Sequence, residues 1–116
     1  MPRLLGMDRR GHLDLLLLGV LQGSGPVHGY AMIVALRDQS DGAFDLPEGT
    51  VYPALHRLER DGLVESAWDA GAARRRRVYR LTPRGVQALA AKRQEWRTFA
   101  QGVRAIVGPD TAWGTG

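Results

Sequence analysis

The pattern that constrains this chain most is its last long one. Between Pro83 and Val107, positions 86, 89, 93, 96, 100, 103 and 107 advance by alternating steps of three and four. They hold Val86, Leu89, Arg93, Trp96, Ala100, Val103 and Val107, a heptad seam of about three heptads broken once, at Arg93. A helix over 83–107 is roughly 37 Å long at 1.5 Å per residue. A body of 116 residues is too small to bury that seam alone. The spacing predicts packing against a second copy. "TPRG" (82–85) starts the helix, with Thr82 as N-cap and Pro83 at the first helical position.

Upstream, three shorter helices are expected. The first, about His12 to Gln22, carries Leu13, Leu16, Leu17, Val20 and Leu21 on one broad face, with further leucines at 15 and 18. A helix apolar nearly all round is buried on more than one side, which places Leu16 and Val20 at a subunit contact. "GSGPVHG" (23–29) is turn chemistry. The second helix, about His28 to Gln39, has Met32, Ile33 and Leu36 inward. The third, about Thr50 to Asp61, has a stripe at Val51, Ala54, Leu55 and Leu58 and stops at Gly62. With Thr50 as N-cap, Pro53 falls in the first turn, where a missing N–H costs little. Residues 63–69 and 76–81 then read as two short strands joined by a small-residue loop, a hairpin.

Totals narrow the function. The chain has no cysteine, which excludes disulfides and Cys-based zinc sites. His12, His28 and His56 belong to different elements and form no metal spacing, so neither metal nor cofactor is expected. No apolar run approaches the roughly 20 residues of a membrane span, and charges stand where a signal peptide would be apolar. A cytoplasmic protein is expected. No nucleophile–base pair, paired carboxylates or phosphate-binding glycine loop suggests an enzyme. The net charge is +4, and its excess is local: residues 70–85 hold six arginines and no acid, while ten cations face twelve acids elsewhere. Such a ridge suits a polyanion.

Helix, helix, helix, basic hairpin, long helix is the order of a winged helix-turn-helix. The expected fold is mainly α with a small β-hairpin. A winged helix over 12–82 is followed by a dimerisation helix over 83–107, between a flexible arm (1–11) and a tail (108–116). The third helix then turns Thr50, Tyr52, His56, Arg57 and Arg60 outward, its start favouring phosphates. His56 and Arg57 have the reach for base edges or phosphates, and Arg74, Arg75, Arg76 and Arg77 read as phosphate ligands on the wing. Tyr52 either meets DNA or packs half-buried on the second helix. Trp68 either packs under the hairpin or lies at its edge. Trp96 is either plain dimer core or one wall of a cavity for a flat aromatic effector, with Arg93 as a counter-charge or a solvated stem. A winged helix serving protein contact instead of DNA is the alternative.

"HGYAMIVAL", "GTVYPALHRLERDGLVES" and "RRRRVYRLTPRG" closely resemble the PadR family of bacterial and archaeal transcriptional regulators, in its compact branch with one terminal helix. The resemblance runs from about residue 12 to 107. It implies a dimeric repressor that binds a roughly palindromic operator in double-stranded DNA and is relieved by a small molecule or other signal. It implies a dimer built from the terminal helix with help from the first, and a DNA-facing set at Tyr30, Thr50, Tyr52, Pro53 and Arg57. Two departures stand out. Ala31, Val34 and Ala35 leave the second helix nearly neutral, and Glu48 stands where small polar residues are common.

Overall fold

The structure, a computed structural model, describes residues 9–69, 71 and 76–108. Its elements are α1 (Arg9–Ser24), β1 (Val27–His28), α2 (Gly29–Gln39), α3 (Glu48–Arg60), β2 (Val64–Trp68), β3 (Arg77–Leu81) and α4 (Pro83–Val107). The winged-helix order is as expected, with one strand more. Val27 and His28 leave the turn before α2 and pair antiparallel with Tyr79 and Val78. The wing is therefore a three-stranded antiparallel sheet, β1-β3-β2. Helix α1 begins at Arg9, inside the segment expected to be a flexible arm. The rest of that arm (1–8) and the tail from 109 lie outside the described residues.

Leucines of α1 are the centre of the core. Leu17, Leu18, Val20 and Leu21 meet Met32, Ile33 and Leu36 of α2 and the α3 stripe Val51, Ala54, Leu55 and Leu58. Val64, Tyr79 and Leu89 close it from the sheet and α4. Two residues expected at a subunit contact, Val20 of α1 and Leu89 of the seam, are thus buried in the chain's own core. Toward its end α4 is bare, and every residue from 101 to 107 is exposed.

The start of α3 departs from expectation. Pro47 is its N-cap, and its carbonyl accepts from the Thr50 and Val51 amides at 3.0 and 3.1 Å. Thr50 lies inside the helix, and Pro53 is in the second turn, where its missing N–H would have served the Gly49 carbonyl. The buried stripe on the opposite side holds the helix together through this defect.

The end of α3 is tied to the start of α4. Gly62, at φ +80°, lets the Leu63 amide reach back to Leu58 O at 3.0 Å, closing the helix in a Schellman turn. The Thr82 hydroxyl then donates to Gly62 O (2.7 Å) and accepts from the Gly85 amide (3.0 Å), while the Thr82 amide donates to Leu63 O (3.1 Å). A Cβ at Gly85 would run into the Leu63 carbonyl oxygen. Gly85→Ala should therefore destabilise the fold by about 1–3 kcal/mol, although alanine is the better helix former. Urea denaturation with an unchanged or raised midpoint would contradict this.

Candidate nucleic-acid interface

One stripe of α3 faces away from the core. Val51, Ala54, Leu55 and Leu58 point inward, so the opposite side at 3.6 residues per turn is Gly49, Pro53, His56 and Arg60. All four are exposed, as are Glu48 and Thr50 beside them. Arg60, which periodicity alone does not separate from its neighbours, lies on the axis of this stripe.

Arg57 does not belong to it. Its guanidinium turns back to α1 and forks onto Asp14, Nη1 donating to Oδ2 at 3.0 Å and Nη2 to Oδ1 at 2.8 Å. The side chains are only 16% and 10% exposed. Asp14 is a carboxylate on an otherwise leucine-rich helix and is itself buried, so it requires a cation. Arg57 meets that need, which corrects its expected outward placement.

Tyr52 is half-buried and packs on the start of α2. A Cβ at Gly29 would lie 2.5 Å from its ring, so glycine there is what admits the tyrosine. Burial, then the nearby Glu48 charge, raises its phenol pKa. The half-buried packing on α2 that one reading of Tyr52 expected is present, and the ring also lines the cleft toward the wing. Tyr30, on the first turn of α2, is exposed.

Strand alternation sorts the wing. Val64, Ser66 and Trp68 of β2 share the inner face with Arg77, Tyr79 and Leu81 of β3, where Val64 and Tyr79 are buried. Burial, followed by the Glu59 charge, raises the Tyr79 phenol pKa. Arg77 thus points inward: its Nε donates to Ser66 Oγ at 2.9 Å, and its guanidinium lies 4.8 Å from the Trp68 ring centre. On the outer face Arg80 is matched by Glu65 at 2.7 Å. Arg76 is exposed, and Arg74 and Arg75 lie outside the described residues. Asp69 closes the wing onto β1, its carboxylate 3.0 Å from His28 Nε2. Between α2, α3 and the wing runs a cleft of about 290 Å³, walled by Tyr30, Tyr52, His56, Trp68, Arg76 and Arg77.

The residues expected at a dimer contact divide. Val86, Trp96, Val103 and Val107 are exposed, Leu16 and Ala100 half-buried. Ile106, which the heptad spacing passes over, is the barest large apolar side chain among the described residues at 85% exposure. Trp96 stands edge-on to His12 at 5.9 Å between ring centres and 5.8 Å from Phe99. Arg93 stays exposed on the seam and donates to Gln22 of α1 at 2.8 Å. No helix among the described residues is long and apolar enough to cross a membrane, and no three of their His, Asp or Glu side chains converge as a metal site.

A helix-turn-helix with one bared stripe, backed by an antiparallel wing, defines a winged-helix protein of the DNA-binding class. Residues 17–91 match the transcriptional regulator PadR-like family, and the chain belongs to that family, whose members are transcriptional regulators that bind DNA rather than enzymes. A transcriptional regulator from Mycobacterium tuberculosis is 49% identical over 55 residues, 47% of this chain and 51% of that one. The match thus spans about half of that relative's length. A solved transcriptional regulator from Clostridium thermocellum superposes with a TM-score of 0.77 at 32% identity, over 84% of this chain and 92% of its own. A PadR family regulator from Eggerthella lenta gives 0.74 at 34%, over 85% and 84%.

Removing one partner of the buried ion pair strands the other. Asp14→Ala should cost about 3–5 kcal/mol, and Asp14→Leu combined with Arg57→Met should recover most of it. A calorimetric Tm unchanged in Asp14→Ala would show that the pair holds nothing.

Proposed function

We propose that this chain is a homodimeric, sequence-specific DNA-binding repressor that recognises a roughly palindromic operator and is released by a small molecule or other signal. The bared α3 stripe is the observation that carries the DNA-reading part: it puts Thr50, Pro53, His56 and Arg60 at the surface, with His56 sharing a cleft with exposed Arg76 of the wing. His56 and Arg60 read base edges or phosphates, and Tyr30 and Thr50 supply hydroxyls to the backbone. Arg74, Arg75 and Arg76 contact phosphates. Arg57 supports the helix through Asp14 rather than touching DNA.

Dimerisation is supported by the outer half of α4, where Val103, Ile106 and Val107 are exposed among the described residues. The aromatic group Trp96, Phe99 and His12 stands on the same flank, 42% of Trp96 still exposed, and is the proposed place for an effector. Ile106→Glu with Val103→Glu should yield a folded monomer with weakened operator binding. A dimer persisting in sedimentation equilibrium would remove α4 from the interface.

If each protomer places roughly three or four cations on phosphates, the log–log salt slope of binding is about −5 to −7 for the dimer. Fluorescence anisotropy of a duplex from upstream of the chain's own gene, beside a scrambled duplex, tests this. Arg76→Ala should flatten the slope by about 2 on both duplexes, and Arg60→Ala should erode the difference between them. Equal weak binding to both duplexes, with saturation away from two chains per duplex, would overturn the reading.

A further inference from the structure

We propose that Arg77 is a positioning residue: it keeps its charge off the DNA and locks the wing to the recognition helix through Ser66 and Glu59. The proposal rests on the reading of the wing as a DNA contact and assigns its arginines opposite tasks. By composition Arg77 is the last of four adjacent arginines and indistinguishable from the others. By geometry it is set apart in three ways.

First, it shares the inner face of the sheet with buried Tyr79, two residues on, so its side chain starts out toward the helices. Second, its Nε–H is directed inward, although the side chain keeps 37% of its surface exposed. Nε donates to Ser66 Oγ at 2.9 Å, Ser66 Oγ donates onward to Glu59 Oε2 at 2.7 Å, and Arg77 Nη2 lies 3.9 Å from the same carboxylate oxygen. Ser66 is thereby satisfied as acceptor and donor at once. Third, the guanidinium lies 4.8 Å from the centre of the Trp68 ring, and Trp68 is the direct cross-strand partner of Arg77.

Glu59 stands one residue before the end of α3. The relay therefore spans the last turn of the recognition helix, the middle of β2 and the first residue of β3. Arg76, the next residue back, projects to solvent. Its reach across the DNA backbone depends on the angle at which the hairpin leaves α3. Two properties of Arg77 set that angle: a flat face for the indole and an Nε–H aimed along the sheet. Lysine keeps the charge but has neither.

The test separates charge from shape. In a salt series, Arg77→Lys should lower operator affinity roughly tenfold, the scale of one charge-assisted hydrogen bond, with the slope unchanged. Ser66→Ala should behave alike, and combining it with Arg77→Lys should cost little more than either alone. Arg77→Lys with wild-type affinity, or Arg77→Gln with a slope flattened by about 2 as for a phosphate ligand, would overturn the proposal. A second readout needs no DNA. Amide hydrogen exchange in Arg77→Lys and Ser66→Ala should quicken across 64–68 and 77–81 and stay unchanged in α1. Unaltered exchange in the wing of both variants would also overturn it. Failure of wild-type protein to discriminate the operator would count against the proposed function instead, leaving the exchange measurement to decide on the lock.

Discussion

The orientation of the recognition helix depends on one buried ion pair. Hydrophobic packing holds α3 against the body but is tolerant of rotation about the helix axis, because several leucine contacts can slide together. A two-pronged bond between Arg57 and Asp14 is not. It fixes both the rotation of α3 and its height along α1, and so determines which residues are bared. Such pairs contribute little net stability once desolvation is counted. Their physical value here is geometric: leaving the pair unformed is costly, so other rotations of α3 are disfavoured.

The other attachments continue from that one. At its far end α3 is held by the Schellman turn at Gly62, whose carbonyl receives Thr82. Gly85 sits against Leu63 O, so α4 departs at an angle fixed by backbone contact. On its flank α3 is held by Glu59 through Ser66 and Arg77 to the wing. Three bonds at three points leave the bared stripe little freedom relative to the wing and the long helix. The same stretch of α1 that presents Asp14 also places His12 against Trp96, so the aromatic group on α4 and helix α3 share one rigid support.

Much of this was legible in the sequence, and the failures have physical causes. Helices α2, α3 and α4 follow from periodicity and from Thr82-Pro83, because amphipathic spacing and caps are local properties. The third strand escaped because two residues carry no alternation; only pairing with β3 makes Val27 and His28 a strand. Arg57 was misplaced because a helical wheel separates inside from outside but does not say which flank finds a partner. The signal lay elsewhere, in "HLDLLLL", where an acid embedded among leucines needs a cation. Arg77 was readable from Tyr79 alone, since alternate residues of a strand share a face. Leu89 fits the seam and the core equally well, and it packs into the core with the α1 leucines.

The composition acquires a reason from these contacts. Fifteen of the sixteen Lys and Arg residues are arginine. A phosphate-binding surface alone does not need that bias, since lysine also binds phosphate as a point charge. Arg57 uses both prongs of its guanidinium on one carboxylate, and Arg77 uses its plane against an indole and its Nε on a hydroxyl. Arg80 closes on Glu65 through Nε, and Arg93 reaches across from α4 to Gln22 on α1. Each of these roles uses a fixed, directional donor, which an ammonium on a flexible stem lacks. In a chain with a small core, arginine thus takes part in determining the angles between elements. Among the described residues, Arg60 of α3 and Arg76 of the wing stay exposed outside that framework.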